Sequence, residues 1–503
     1  MGLTSGALLL SSAGDGGNVV LLSRILDHAG RHPNKIAVVS NGAPINYETF
    51  AKGILKIRCH AAQALPPICG TAIIASPGLL NLWLISIALR SLGITTVAAR
   101  DLETIGKLRH FPGAMLVCAS RREGYVPTAH QRWPDLPIFE LPIEAINAIR
   151  DDALPSTVDD SRFGDYIEFT SGSTGDHKIL VRSGAAVEQL WTRTAAEFRL
   201  DRSSAFHLHS LTAWTAVGGK CPLTCWALGA TCLFDQRYDN LHHLLDLPIN
   251  RLFVTPAQIR TLAAMDLPKP RDPDLQIYCG GGFLAAPLVA QLREKLRCRI
   301  FLNYAGSEFG VRLQSEIQVE EDAIWLRPLP NADLRLVDEL GEPAADDQEA
   351  VIQVKLHACD PRPYSGEPAS GEAGVEGSWF NTNDLATRRA DGRIRILGRA
   401  EDVLNISGQK VPVGPVEERA RTLLGIDSLC LFTRQADDGE DYLLVAIEGD
   451  QDPENRRVTA FRAELGQYFN RIELRTLATF PRPSSGMQKV NRREILRQVE
   501  QPD

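Results

Sequence analysis

The sequence predicts an α/β protein organised around parallel sheet, and three observations carry that expectation. Between residues 66 and 145 short apolar runs alternate with longer helical patterns, the order that a parallel sheet covered by helices on both faces requires. A later apolar run ends in Gly280, Gly281 and Gly282 before another helical pattern, and glycines at a strand's C-terminal end let a flat ring approach the backbone. Finally, 503 residues with 44% hydrophobic and 23% charged content can bury large cores in at least two domains.

The elements follow in order. A helix is expected over 21–28, a strand over 35–40 and, after a turn, a helix beginning near Asn46. The stretch 69–99 carries only one charge, Arg90, and resembles a membrane span in composition. Pro77-Gly78 and Gly93 divide it into a strand (71–75), a helix (79–92) and a strand (94–98), so it reads as a buried βαβ unit. Two strands flank the hydroxyl-rich segment 170–178. A helix follows with Ser183 as N-cap and Val187, Leu190, Trp191 and Phe198 on its apolar face. Further strands are expected at 230–234, 251–256 and from Gln276, with helices running to Leu228 and over 287–296. Residues 349–378 read as irregular surface around one strand, 350–354. Residues 379–384 precede a hairpin turning at Asp391-Gly392, whose second strand, 393–397, alternates.

Charge and cysteine usage narrow the function classes. A net charge of −8 argues against broad nucleic-acid binding, which needs a basic surface. The ten cysteines lack paired metal spacing, Cys221 and Cys225 forming an isolated CxxxC, so they read as buried thiols in a reducing compartment. The first residues lack the basic region of a secretory signal, which makes a cytoplasmic location the expectation. His207 and His209 share one face of a strand and are read as pocket-lining or structural side chains, since no third metal ligand lies nearby.

The densest chemistry lies in Thr170-Ser-Gly-Ser-Thr-Gly-Asp-His-Lys178. Thr170, Ser171, Ser173 and Thr174 offer hydroxyl donors, Gly172 and Gly175 let backbone N–H groups turn toward an anion, and Lys178 adds a mobile cation. Such a set suits a triphosphate. A Walker loop is excluded, because only two residues separate the glycines and an apolar run follows instead of a helix. The segment closely resembles the (Ser/Thr)-Ser-Gly-(Ser/Thr)-Thr-Gly-x-Pro-Lys signature of the adenylate-forming superfamily of acyl-CoA synthetases, nonribosomal peptide synthetase adenylation domains and luciferases, with His177 in place of proline.

Five more motifs resemble that superfamily in its order. Gly280, Gly281 and Gly282 match the glycines that lie against adenine and the acyl group. Asn303-Tyr-Ala-Gly-Ser-Glu308 resembles Tyr-Gly-x-Thr-Glu, which implies Tyr304 on an adenine face, Ser307 on phosphate and Glu308 on Mg2+; Ala305 replaces a glycine. Asp384 resembles the aspartate that accepts both ribose hydroxyls, with Asn383 where glycine is usual. In the stretch 398–417 the resemblance implies Arg399 near the ribose, Glu401 as a hinge and Gly408 beside a thiol tunnel, with Pro415 in the first turn of a helix. Lys489 resembles the catalytic lysine of the closing motif, although Met487 and Gln488 separate it from Gly486.

The resemblance spans about 20–495 and implies a large N-terminal α/β domain over 1–398 with ATP and acid pockets, and a small mobile α+β lid over 399–503. It implies ATP, Mg2+ and a thiol acceptor, either coenzyme A or the phosphopantetheine of a stand-alone acyl carrier protein. The acid pocket falls on His209, Trp214, Gly280 and Phe283. No Asp or Glu lies between Ser203 and Phe234 to hold an ammonium, so an acyl or aryl acid without an α-amine is expected. Lys489, Lys178 and Glu308 are the expected catalytic residues. An amide-forming adenylating ligase and, from the departures at His177, Ala305, Asn383 and before Lys489, an inactive nucleotide-binding scaffold remain as alternatives.

Overall fold

The computed structural model describes residues 21–76, 78–99, 101–122, 124–169, 178–208, 213–234, 248–266, 274–282, 284, 286–330, 332–364, 376–406, 409–426, 428–436, 441–449, 453–482 and 490–500. The fold is the expected α/β one, two large sheets followed by a small α+β unit. In one sheet the spatial order is Arg362–Pro363, Ile179–Arg182, Tyr166–Phe169, Thr95–Ala98, Thr71–Ala75, Ala114–Cys118 and Ile138–Glu140. The last five of these strands run parallel, and Ile179–Arg182 is antiparallel to its neighbour Tyr166–Phe169. The larger sheet has toward one edge the parallel set Gln276–Gly280, Arg251–Val254, Ala205–Leu208, Thr231–Phe234 and Ile36–Ser40, and Arg299–Gly306 extends it.

Helices fill the space between the sheets. One apolar cluster draws Ala72, Ile74 and Ala98 from one sheet and Val38, Phe253, Tyr278 and Phe301 from the other, around Phe50, Trp83, Trp191 and Trp226 of the intervening helices. The Trp226 ring lies 4.9 Å from Phe50 and 5.6 Å from Trp83, and cutting so large a buried ring back to alanine costs about 3–5 kcal/mol. Arg90, the lone charge of the apolar stretch, is buried with Nε donating to Gly164 O at 2.8 Å and its guanidinium 4.3 Å from the Phe163 ring centre. Burial pulls its pKa down to about 10, still high enough for the charged form at neutral pH.

Local sequence sets the element ends. Asn46 caps the helix Tyr47–Ala64 by accepting from Thr49 N at 2.9 Å, and Thr255 with Gln258 forms a capping box at the start of Pro256–Ala264. Three expectations are corrected. Ser183 makes no side-chain cap; a short 3-10 turn, Gly184–Ala186, intervenes before the helix Val187–Phe198. The helix after Gly78 ends at Arg90, where Ser91, Leu92 and Gly93 close a turn back onto it. Residues 379–384 belong to the hairpin itself, within the strand Trp379–Arg388, because they pair with Ala350–Lys355.

The smaller unit has its own core. Strands Leu429–Gln435, Asp441–Glu448 and Ile472–Leu477 form a sheet whose cluster includes Leu404, Leu424, Leu431, Val445 and Phe461. All ten cysteines are free thiols. Among the described residues no helix is long and apolar enough to cross a membrane.

Candidate functional site

Parallel strands put their C-terminal ends on one side of the sheet, where ligands of open α/β sheets bind. Gly280 ends its strand there and is the register partner of Asn303. One residue on, Tyr304 reaches across to the strand Trp379–Arg388, and its phenol donates to Asp384 Oδ2 at 2.6 Å. Arg399 is the register partner of Asp384, with Nε 3.1 Å from Oδ1 and one Nη donating to Thr382 O at 2.8 Å. Thr382 is buried; its hydroxyl donates to Ile352 O at 2.9 Å and accepts from Asp384 N at 3.2 Å. A distant strand and the two strands of one hairpin therefore meet on one carboxylate.

Burial first, and then the Asp384 charge, hold the Tyr304 phenol well above its ordinary pKa, so it stays a donor. The departure at Asn383 is accommodated. Its φ is +57°, the left-handed region that asparagine tolerates better than most residues, and its carbonyl accepts from Ala400 N at 2.9 Å. Ala305 is exposed, so the methyl in place of a glycine hydrogen meets solvent.

Ser307 and Glu308 are half-buried in the turn between Arg299–Gly306 and Gly310–Glu316. Phe309 pins that turn, its ring 5.9 Å from Tyr304 and 5.9 Å from Phe380. Glu308 has no ion-pair partner among the described residues. A single accessible carboxylate fits Mg2+, which keeps waters and phosphate oxygens as its other ligands.

Lys178 stands exposed at the head of Ile179–Arg182, and Phe169 closes the strand before it. The six loop residues Thr170, Ser171, Gly172, Ser173, Thr174 and Gly175 lie outside the described residues, as do His209, Phe283, Gly408 and Lys489. Their surroundings are defined. Phe169 N donates to Trp214 O at 2.8 Å, which sets Trp214 beside the beginning of the loop. Trp214 packs against two apolar clusters, and its indole N–H is buried without an acceptor among the described residues. Gly281 is half-buried and Gly282 exposed beyond Gly280. Glu401 is exposed in the turn that follows Arg399, ahead of the short hairpin Val403–Ile406 and Gln409–Pro412.

The lysine segment is tied on both sides. Before it, Arg482 donates to Glu448 Oε2 at 2.6 Å; after it, Arg492 pairs with the buried Glu417. Asn491 N donates to Pro481 O at 2.8 Å.

One pair escaped sequence reasoning. Between the strands Tyr166–Phe169 and Ile179–Arg182, Arg182 donates to Glu168 Oε1 at 2.6 Å and to Cys359 O at 2.6 Å, and both side chains are buried. The available signal was an acid inside the apolar strand Tyr166–Phe169 with an opposite charge on the neighbouring strand. Tyr166 and Glu168 share a face against Gly219, where an added Cβ would lie 2.9 Å from the Tyr166 ring.

Residues 146–357 match the family described as AMP-binding enzyme. The mitochondrial acyl-coenzyme A synthetase ACSM1 of Mus musculus is 27% identical over 266 residues, covering 50% of this chain and 46% of that protein. The chain thus spans about half the length of the curated relatives it matches. The anthranilate CoA ligase AuaEII, solved with anthranoyl-AMP, superposes with a TM-score of 0.77 at 13% identity, covering 95% of this chain and 97% of that one. The o-succinylbenzoate coenzyme A synthetase of Bacillus subtilis, solved with ATP and a magnesium ion, superposes at 0.74 with 16% identity, covering 94% and 99%.

Proposed function

We propose, for a chain that carries an AMP-binding domain and has acyl-CoA synthetase homologues, that it activates a carboxylic acid at the expense of ATP and passes the acyl group to a thiol. The observation that supports this reading best is the meeting of Tyr304, Asp384 and Arg399 beside the Gly280 strand end. A carboxylate flanked by an aromatic ring and a guanidinium suits a nucleoside: ribose hydroxyls donate to Asp384 while the Tyr304 ring covers adenine.

The reaction has two halves. The acid's carboxylate attacks the α-phosphorus of ATP, the α–β anhydride bond breaks, and acyl-AMP and pyrophosphate form. Both reactants are anions, so the barrier is largely repulsion and misalignment. Lys489 and Lys178 offset the charge, and Glu308 would hold the Mg2+ that neutralises phosphate oxygens. Thr170, Ser171, Ser173 and Thr174, with the N–H groups around Gly172 and Gly175, cradle the phosphates, and Ser307 adds a hydroxyl. In the second half a thiolate attacks the acyl carbon and AMP leaves. Residues 399–503 turn at Glu401 as a lid, withdrawing Lys489 and bringing Gly408 to the thiol path.

The acid is acyl or aryl without an α-amine, held by Trp214, Gly280, His209 and Phe283. The thiol belongs to coenzyme A or to the phosphopantetheine of a separate carrier protein, and the reaction takes place in the cytoplasm. Acid-dependent exchange of pyrophosphate into ATP, run over a panel of aliphatic and aromatic acids, tests the reading. Exchange with at least one acid is the expected result; silence with every acid rejects it in favour of a nucleotide-binding scaffold. Single-turnover product analysis with coenzyme A, holo carrier protein and an amine then identifies the acceptor.

A further inference from the structure

A cavity of about 950 Å3 lies beside the helix Val187–Phe198, and none of the residues around it is Tyr304, Glu308, Asp384 or Arg399. Its walls are mostly apolar, with Phe163, Val311 and Leu329 among them, but its floor is charged. Arg193 and Arg312 both pair with the buried Asp360, Arg193 lies 3.3 Å from Glu197, and Lys220 pairs with Glu197 from behind. That buried group holds three cations, Arg193, Arg312 and Lys220, against two carboxylates, Glu197 and Asp360, so one positive charge is uncompensated. At the mouth the exposed Glu188 pairs with Arg24 at 3.6 Å, and the exposed Arg199 donates to Gln314, so neither carboxylate nor guanidinium there offsets the buried group. Arg193 Nη1 is buried and has no hydrogen-bond acceptor among the described residues. A buried guanidinium N–H without an acceptor is costly, and an anion in the cavity would supply one.

We propose that this cavity is a binding site for a small organic carboxylate with an apolar body, its carboxylate on Arg193 and its body against Phe163, Val311 and Leu329. The site abuts the hairpin that carries Glu308. Gly310, with φ of +70°, turns so tightly against it that an added Cβ would lie 3.0 Å from both Arg193 Nη2 and Glu197 Oε1, and Val311 N donates to Glu197 at 3.3 Å. Arg199 donates to Gln314, which donates to Asn303, the residue before Tyr304. A ligand on Arg193 therefore presses on the frame that holds the nucleotide-facing turn, and the proposal stands apart from whether that turn binds nucleotide.

The probes are 4-iodobenzoate soaked into crystals of the full chain, located by iodine anomalous scattering, and 4-fluorobenzoate titrated in solution by fluorine NMR. Expected are an iodine peak in the cavity with the carboxylate against Arg193, and saturable binding in solution. Arg193→Gln should weaken that binding about tenfold or more, the scale of one charge-assisted hydrogen bond. Because Arg193 is also structural, Ala196→Trp is the second variant: Ala196 is exposed at the mouth, makes none of the ion pairs, and a tryptophan there fills the entrance. It should melt with the wild type and lose the cavity peak. Absence of iodine from the cavity, a peak that persists in Ala196→Trp, or binding at crystal concentration only, without a saturable titration, overturns the proposal.

Discussion

Tyr304 donates a 2.6 Å hydrogen bond to Asp384, eighty residues further along the chain, while Arg399 holds the other oxygen of the same carboxylate at 3.1 Å. A ribose that uses Asp384 has to share or displace the phenol. Asp384→Ala should therefore weaken AMP binding roughly ten- to a hundredfold, the value of charge-assisted hydrogen bonds, whereas Tyr304→Phe keeps the ring and should cost about tenfold or less. Calorimetric titration with AMP checks both; undiminished affinity in Asp384→Ala would remove the nucleotide from this position.

Lys489 should matter in one half-reaction only. Lys489→Ala is expected to slow acyl-AMP formation by about a hundredfold or more, as for loss of a preorganised charge at the reacting centre. Thioester formation from supplied acyl-AMP should change far less. Rapid-quench measurement of each half separates them, and equal losses would count against a lid that withdraws the lysine.

The buried Glu168–Arg182 pair makes a stability prediction. Glu168→Leu leaves a buried guanidinium without its carboxylate and should cost about 3–5 kcal/mol, while the Glu168→Leu, Arg182→Leu double variant should recover much of that. Denaturant unfolding of the three proteins gives the coupling energy. A double variant as damaged as the single one would mean that the Arg182 bond to Cys359 O carries the effect.

Acid should loosen the lysine segment. Burial alone would raise the Glu448 pKa, but hydrogen bonds from Arg482, Ser428 and Phe480 N outweigh it and bring it to about 2. A carboxylate depressed in the folded state stabilises fully above its unfolded value of about 4.3 and loses that contribution as pH falls toward 2. After allowance for solvent screening the contribution is on the order of 1 kcal/mol. Thermal unfolding between pH 5 and pH 2 should therefore show a loss in the wild type that Glu448→Gln lacks. Parallel pH profiles for the two proteins would contradict this assignment.

The parts of the fold that were legible were those written in periodicity and punctuation. The strand Thr71–Ala75 and the start of the helix at Leu79 follow from Pro77-Gly78 between apolar runs, and Asn46 announces the helix it caps. Ser183 misled because a cap is recognised by its hydrogen bond, and the chain spends a 3-10 turn after it instead. Motif order placed Tyr304, Asp384 and Arg399 in one site, yet no local pattern reveals that the phenol and the carboxylate are bonded; that contact depends on the register of strands far apart in the chain. The Glu168–Arg182 pair joins consecutive strands, yet a charge in a short apolar run shows its purpose only once the register of the two strands is known.

The bond from Asn491 to Pro481 pins together the two feet of the segment that bears Lys489, with Arg482 and Arg492 bolting each foot to the body. Met487 and Gln488, the two residues in excess of the usual pattern, add roughly 7 Å of contour between fixed posts. Because Asn491 and Pro481 are bonded to each other directly, the chain leaves and re-enters the smaller unit at neighbouring points, each anchored by its own arginine–glutamate pair.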